Sequence, residues 1–134
     1  MEQERQIPAA RLRPALDALG LEFLAGFLET EIGRHPENLD AWIELGHVYT
    51  RAKRFEDGLR VDQELVRRAP RDPTVRYNLA CSLALLRRNE EALDALEESV
   101  ALGYRDPEHL QADEDLAGLR EEARFLGIVR ALTT

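Results

Sequence analysis

Apolar side chains recur at helical spacing through the middle of the chain. Trp42, Leu45 and Tyr49 are spaced i, i+3 and i+7, which places them on one face of a helix. After the short stretch 51–54 (RAKR), a second apolar face follows. Its members are Phe55, Leu59, Val61, Leu65 and Val66. This pattern predicts a helical hairpin, in which two helices are joined by a tight turn.

The whole pattern recurs at a constant interval, which is the distance from Pro36 to Pro70 and which we call one period. When the sequence is shifted by one period, small residues fall on small ones and large apolar residues on large apolar ones. The other corresponding pairs are Leu45 and Leu79, Gly46 and Ala80, Tyr49 and Leu83, Gly58 and Ala92, Leu59 and Leu93, and Val66 and Val100. Such a period is typical of stacked helical repeats. The prolines, which cannot continue a helix, are expected at the helix ends.

Two glycines stand inside the predicted helices of the first hairpin. Glycine within a helix costs about 0.5–1 kcal/mol relative to alanine, so its presence needs a reason. We expect Gly46 and Gly58 to face each other and to allow a close approach of the two backbones. Ala80 and Ala92 are expected to do the same in the second hairpin.

These residues resemble the tetratricopeptide repeat (TPR) family, whose unit has about 34 residues and the pattern W-x₂-L-G-x₂-Y followed by a small residue and a proline. The matching residues are Trp42, Leu45, Gly46, Tyr49, Phe55, Gly58 and Pro70. The second repeat departs from the pattern, with Arg76 in place of the tryptophan and Tyr104 in place of the closing proline. The resemblance, which is to small bacterial members, implies an all-α fold of α-hairpins stacked in a right-handed superhelix.

The predicted domain covers residues 1–134 and has four units. Residues 39–72 and 73–106 are the clear repeats, and 7–38 is a divergent or partial repeat, with Leu12 and Leu24 at its two close-approach positions. Residues 107–134 are expected to form C-terminal capping helices, since the last hairpin of an array exposes an apolar side. Asp106 and Pro107 are a helix start signal. The alternative is a tail that folds back into the binding groove.

In the TPR family the first helix of each hairpin lines a concave surface. The residues that this resemblance places there are Asp40, Ile43, His47, Thr50, Arg51, Thr74, Tyr77, Asn78 and Cys81, followed by Ala84 and Leu85. Their mixture of apolar and polar side chains suits a peptide or helix laid in a groove. The alternative for Cys81, Ala84 and Leu85 is packing against the N-terminal or capping helices. Ile43, His47 and Tyr77 argue against the family's carboxylate clamp.

Charge and cysteine content limit the partners and the compartment. The net charge of −8 argues against a nucleic-acid partner, because phosphate binding requires a basic face. The sequence predicts no membrane partner, since no apolar run is long enough to span a bilayer. Cys81 is the only cysteine, and the first residues lack the features of a secretory signal. A reducing compartment, the cytoplasm, is therefore expected.

The sequence contains no arrangement typical of catalysis. His35, His47 and His109 are far apart, and none belongs to a metal-ligand pair. Neither a phosphate-binding loop nor a nucleophile motif is present. We therefore expect no cofactor, no metal and no enzymatic activity, and we interpret the chain as a protein–protein interaction scaffold. The alternatives are a chaperone for a secreted or aggregation-prone client and a module that self-associates through its N-terminal end.

Overall fold

The computed structural model describes residues 9–134, and within that range it contains eight helices and no strand. Each α-helix up to α5 packs mainly on its neighbours in the chain. The predicted all-α class is therefore confirmed. The elements are α1 (Ala9–Arg34), α2 (Leu39–Arg51), α3 (Phe55–Arg68), α4 (Pro73–Leu85), α5 (Asn89–Leu102), α6 (Pro107–Ala112), a 3-10 helix (Glu114–Leu119) and α7 (Ala123–Thr133). None of these helices combines the length and apolar character that a membrane crossing requires.

The helix bounds themselves repeat, since α4 and α5 begin and end one period after α2 and α3. The two tight turns are also equivalent. Lys53 and Arg87 occupy the same place in them, both with positive φ, 60° and 61°. The N–H of the next residue then donates to a helix carbonyl, that of Tyr49 in the first turn (2.8 Å) and that of Leu83 in the second (2.9 Å). Each hairpin is therefore closed by the same backbone geometry.

The helix start signals follow the same period. The side chains of Asn38, Asp72 and Asp106 accept hydrogen bonds from N–H groups in the first turns of α2, α4 and α6. Such caps satisfy backbone donors that have no partner inside the helix. The predicted start at Asp106 is thus confirmed. However, α6 is short, and Asp113 then caps the 3-10 helix, so the chain leaves the period after Ala112.

The two glycines lie in the contact between α2 and α3, as expected from the sequence. A Cβ atom added at Gly58 would lie 3.8 Å from the carbonyl oxygen of Gly46. A Cβ atom added at Gly46 would lie 3.3 Å from the Asp62 carboxylate and 3.4 Å from Val61. The helices therefore approach closely at this point. Ala80 and Ala92, the equivalent residues of the second hairpin, are fully buried.

Arg76 replaces the tryptophan of the first hairpin in one of its contacts. The indole N–H of Trp42 donates to the carbonyl oxygen of Pro36 (2.9 Å). Arg76 donates to the carbonyl oxygen of Pro70, the equivalent proline (3.2 and 3.4 Å), and forms an ion pair with Glu98 (2.7 Å). A different side chain thus keeps the same link to the preceding turn.

The C-terminal segment packs into the core of the second hairpin. Leu110, Leu116, Leu119 and Phe125 are buried in one cluster with residues of α4 and α5. The 3-10 helix lies on α4, and α7 contacts α5 and α6. On the surface, Arg124 of α7 forms ion pairs with three acids of α5. This segment is therefore part of the folded core.

The N-terminal segment differs from a hairpin, because residues 9–34 form a single helix, α1. Leu12 and Leu24 lie on that one helix, and both are exposed. A leucine at each position cannot allow the close backbone approach that glycine and alanine provide in the later hairpins. Only the C-terminal half of α1 packs on α2, through Leu21, Ala25, Leu28 and Ile32. Residues 7 and 8 of the predicted 7–38 unit lie outside the described residues.

Candidate binding groove

A cavity of about 530 Å³ lies between α2, α4 and the segment 109–115. A neighbouring cavity of about 310 Å³ shares His47, Tyr77, Asn78 and His109 with it. We call the two together the groove. Its larger part is lined by Glu44, Gly46, His47, Thr50, Arg51, Asp62, Tyr77, Asn78, Cys81, Ser82, His109, Asp113 and Asp115. The first helices of both hairpins therefore contribute to one concave site.

Eight of the nine residues predicted to contact a partner line one or other of these cavities. Asp40 lies in the first turn of α2 and lines neither. The eight differ in how accessible they are. His47, Arg51 and Thr74 are exposed, Ile43, Thr50 and Asn78 are partly buried, and Tyr77 and Cys81 are buried.

Tyr77 is held from three sides. Its ring stacks on that of Tyr104, with 4.7 Å between the centroids, and lies 5.5 Å from that of His109. Its hydroxyl donates to the carboxylate of Asp113 (2.6 Å). Burial and this carboxylate raise the pKa of the Tyr77 hydroxyl. Tyr77 is therefore part of the core and forms the floor of the groove.

Cys81 and Ala84 are also buried in the core of the second hairpin, together with leucines of the 3-10 helix. Leu85 is partly buried. The sequence analysis gave packing against the N-terminal or capping helices as the alternative for these residues. Cys81 and Ala84 do pack against the C-terminal helices. Cys81 lines the larger cavity, whereas Ala84 lines neither cavity.

Replacing Tyr77 with phenylalanine tests the hydroxyl contact alone. The variant keeps the ring stacking on Tyr104 but removes a hydrogen bond to a charged acceptor, which contributes about 1.5–3 kcal/mol. Since Asp113 keeps other donors, we expect Tyr77→Phe to lower the free energy of unfolding by about 1–2 kcal/mol. Urea denaturation followed by circular dichroism measures this. A loss below about 0.5 kcal/mol would show that the contact does not anchor the C-terminal segment.

The groove contains a buried carboxylate, that of Asp62, with only 5% of the residue exposed. Burial raises its pKa to about 6, and a hydrogen bond from the Ser82 hydroxyl opposes that shift. Near the opening, Asp115 also has a raised pKa, first because it is partly buried and second because Asp113 is close. Burial therefore disfavours the ionised form of two carboxyl groups of the groove, those of Asp62 and Asp115.

Cys81, Asp113 and Asp115 are the described residues whose metal-ligating atoms lie close together, all within 4.8 Å of one another. The thiol of Cys81 donates to Asp113 (3.7 Å), and burial together with the nearby carboxylates raises its pKa. A metal ion would have to displace the proton that this contact stabilises. The arrangement thus favours a hydrogen-bonded thiol and carboxylate. The expected absence of a metal and of a cofactor stays a prediction.

The structure adds groove residues that the sequence interpretation missed. For Asp62 and Ser82 a signal was present, because the shift by one period places Asp62 on Leu96 and Ser82 on Val48. A polar residue at a position that is apolar in the other repeat marks a special environment. Asp113 and Asp115 gave no such signal, since they follow the point where the chain leaves the period.

No family model matches the chain, and no curated protein was found that resembles it significantly. The likeness to tetratricopeptide repeats therefore rests on the residues quoted above and stays a prediction.

Proposed function

We propose that the chain is a non-catalytic scaffold of the TPR type, built as a right-handed stack of α-hairpins, which binds a segment of a partner protein in the groove. The observation that carries this proposal is the groove itself, formed by the first helices of both hairpins and by the segment 109–115. Tyr77, Asp113, Asp62 and Ser82 are held by packing and hydrogen bonds, so these parts of the groove need little ordering on binding. We place the scaffold in a reducing compartment, the bacterial cytoplasm, where its single thiol would stay reduced.

The charges of the groove favour a basic side chain in that segment. Four carboxylates line the larger cavity, those of Glu44, Asp62, Asp113 and Asp115, and Arg51 supplies the one guanidinium among the lining residues. Carboxylates close to one another and partly removed from water are stabilised by a nearby cation. A lysine or arginine of the partner would supply that cation. Ile43 and the ring of Tyr104 in the smaller cavity would contact neighbouring apolar side chains.

The arrangement around Cys81 supports a binding role rather than catalysis. A nucleophilic cysteine needs a lowered pKa, and a histidine commonly activates it. Here the pKa of the thiol is raised, and its hydrogen-bond acceptor is Asp113. His109 also faces Asp113, with 3.5 Å between Nε2 and Oδ2. The thiol is therefore protonated, and the carboxylate separates it from the base.

Two model peptides test the preference for a cation. We expect acetylated and amidated Ala-Leu-Ala-Lys-Ala-Leu-Ala to bind at least about tenfold more tightly than the same peptide with glutamate at its centre, which corresponds to about 1.4 kcal/mol. Titration of ¹⁵N-labelled protein, followed by amide chemical shifts, measures both affinities. Shifts for the lysine peptide should be concentrated in α2, α4 and the segment 109–115.

Charge-reversed variants provide the control. Asp115→Lys should abolish the preference for the lysine peptide, whereas Glu108→Lys should leave it unchanged, since Glu108 is exposed on α6 and does not line the groove. The two variants change the net charge equally. The proposal would be contradicted if the lysine peptide changed amide chemical shifts mainly outside the groove. It would also be contradicted if the two variants changed the preference for the lysine peptide equally. Equal binding of both peptides would instead favour the chaperone alternative, in which apolar side chains alone are recognised.

A further inference from the structure

Helix α1 is apolar on two opposite sides. One side packs on α2 through Leu21, Ala25, Leu28 and Ile32. The other side carries large apolar residues at intervals of three and four, so they form a single line along the helix. We call this line the outer face of α1, and it consists of Leu12, Leu16, Leu19, Phe23 and Phe27, all exposed. No other residue in the described range 9–134 buries this face.

Comparison with α3 shows that an apolar position buried in α3 is exposed in α1. Val61 of α3 is only 5% exposed and packs near Gly46 of α2, the first helix of the same hairpin. Phe27 stands one period before Val61, and 64% of it is exposed. The end of α1 also falls one period before the end of α3. The C-terminal half of α1 thus resembles the second helix of a hairpin, and the described residues 9–134 contain no first helix packed against it.

The N-terminal half of α1 also lacks a packing partner within the described part of the chain. Residues 10–20 are all exposed. A helix of about 12 residues is only marginally stable in water without lateral packing. Pro14 removes one backbone donor from this half, and Gly20 lowers its helix propensity further. Lateral packing would therefore stabilise the helix here, and no residue of the described range 9–134 provides it.

The exposed apolar area is large enough for a specific contact. At about 200 Å² for each large side chain, the exposed fractions of the five residues of the outer face amount to roughly 600 Å². The largest apolar patch on a monomer is usually about 300–600 Å². Two such faces together offer roughly 1,200 Å², which is the lower end of the range of about 1,200–2,000 Å² for stable interfaces.

We propose that a second copy of this chain covers the outer face, with the two α1 helices packed antiparallel around a two-fold axis near Leu19. In that arrangement Leu12 lies opposite Phe27 of the second copy, and Leu16 lies opposite Phe23. Each phenylalanine then meets a leucine, so that the space between the helices is filled evenly. A parallel arrangement would place phenylalanine on phenylalanine at one end and leucine on leucine at the other.

The charges beside the outer face favour the same direction. Arg13 and Glu31 are separated by about five helical turns. They therefore lie on one flank of the helix, with the arginine at the N-terminal end and the glutamate at the C-terminal end. Antiparallel packing brings each arginine close to a glutamate of the second copy, whereas parallel packing brings like charges together.

Sedimentation velocity of the full chain tests the proposal. We expect a dimer at tens of micromolar, and we expect the double variant Leu16→Gln, Phe23→Gln to raise the dimer dissociation constant at least about tenfold. Because both residues are exposed in the single chain, folding of residues 21–134 should be unaffected, and circular dichroism of the melting transition checks this. Leu126→Gln is the matched control, since Leu126 is exposed on α7, away from α1. A monomer up to about 100 µM, or an open-ended assembly, would overturn the proposal.

Cysteine cross-linking tests the direction. Leu19→Cys, next to the two-fold axis, should form a disulfide-linked dimer on oxidation, whereas Leu12→Cys should not, because the two copies of residue 12 lie at opposite ends. The native Cys81 is buried and should not interfere. Cross-linking through residue 12 would overturn the antiparallel arrangement. In addition, Arg13→Glu should weaken the dimer, and Glu31→Arg in the same chain should restore it.

Discussion

Gly46→Leu is expected to lower the free energy of unfolding by about 3 kcal/mol or more, the largest effect among the substitutions considered for this chain. The first carbon of any side chain at this position would already lie 3.3 Å from the carboxylate of Asp62 and 3.4 Å from Val61. The rest of a leucine could fit only if α2 and α3 moved apart. The gain of about 1 kcal/mol in helix propensity is too small to compensate.

Thermal melting followed by circular dichroism measures this loss, which corresponds to a decrease of roughly 10 °C in Tm for a chain of this size. Gly127→Leu is the matched control, because nothing lies within 4 Å of a Cβ atom at Gly127 on α7. Gly58→Ala should be neutral or slightly stabilising, since the contacts of its Cβ atom begin at 3.5 Å. A Tm of Gly46→Leu within about 2 °C of the original chain would show that the two helices are not closely packed.

The sequence predicted the hairpins well because their information is local and repeated. The period itself, the small residues at the close contact and the cap at Asp106 all depend on a few neighbouring residues. Each of these features favours the same helix bounds as the others. The structure therefore places α2 to α5 where the periodicity and the turn stretch RAKR indicated.

The N-terminal segment could not be predicted in the same way. A hairpin there would need a turn near residues 18–20 (Ala-Leu-Gly), and one glycine costs a helix only about 1 kcal/mol. The helix continues through Gly20 because no proline or capping residue stops it there. The leucines at positions 12 and 24 disfavour the close contact of a hairpin, but the sequence does not show whether a more widely spaced hairpin or a single helix replaces it.

The candidate groove was predictable only in part. Helix periodicity selected residues on one side of α2 and α4, and the structure places most of them around the cavity. Periodicity did not distinguish the buried residues at the floor of the groove from the exposed residues at its edge. The burial of Tyr77 depends on Tyr104 and Asp113, which lie far along the chain. The acidic character of the groove comes largely from Asp62 on a second helix and from residues after Ala112.

The last prediction concerns the effect of the buried carboxylate of Asp62 on the free energy of unfolding. Asp62→Asn is expected to stabilise the fold by about 2 kcal/mol at pH 7.5 and to have little effect at pH 4. Burial raises the pKa of Asp62 from 3.8 to about 6, so the folded chain keeps this proton over a pH range in which the unfolded chain has lost it. The contribution of Asp62 to the free energy of unfolding is therefore fully present below about pH 4 and is lost as the pH rises through about 6. The amide remains neutral and can still accept the hydrogen bond from Ser82.

Denaturant unfolding of both chains between pH 4 and 8 measures the difference, and ¹³C NMR of the carboxyl carbon measures the pKa of Asp62 directly. Asp94→Asn is the control, since its exposed side chain lies in an ion pair with Arg124 on the surface, where such pairs contribute little. A difference between Asp62→Asn and the original chain that does not vary with pH would contradict the prediction.

If Asp62→Asn is more stable than the original chain at neutral pH, the original chain carries an ionised, buried carboxylate that lowers its own stability. Such a group is stabilised when a cation approaches it, and the larger cavity of the groove gives a cation access to Asp62. The same substitution should therefore stabilise the fold and weaken binding of the lysine peptide. That combination, more stability with less affinity, is expected of a residue that serves binding and not of one that serves folding.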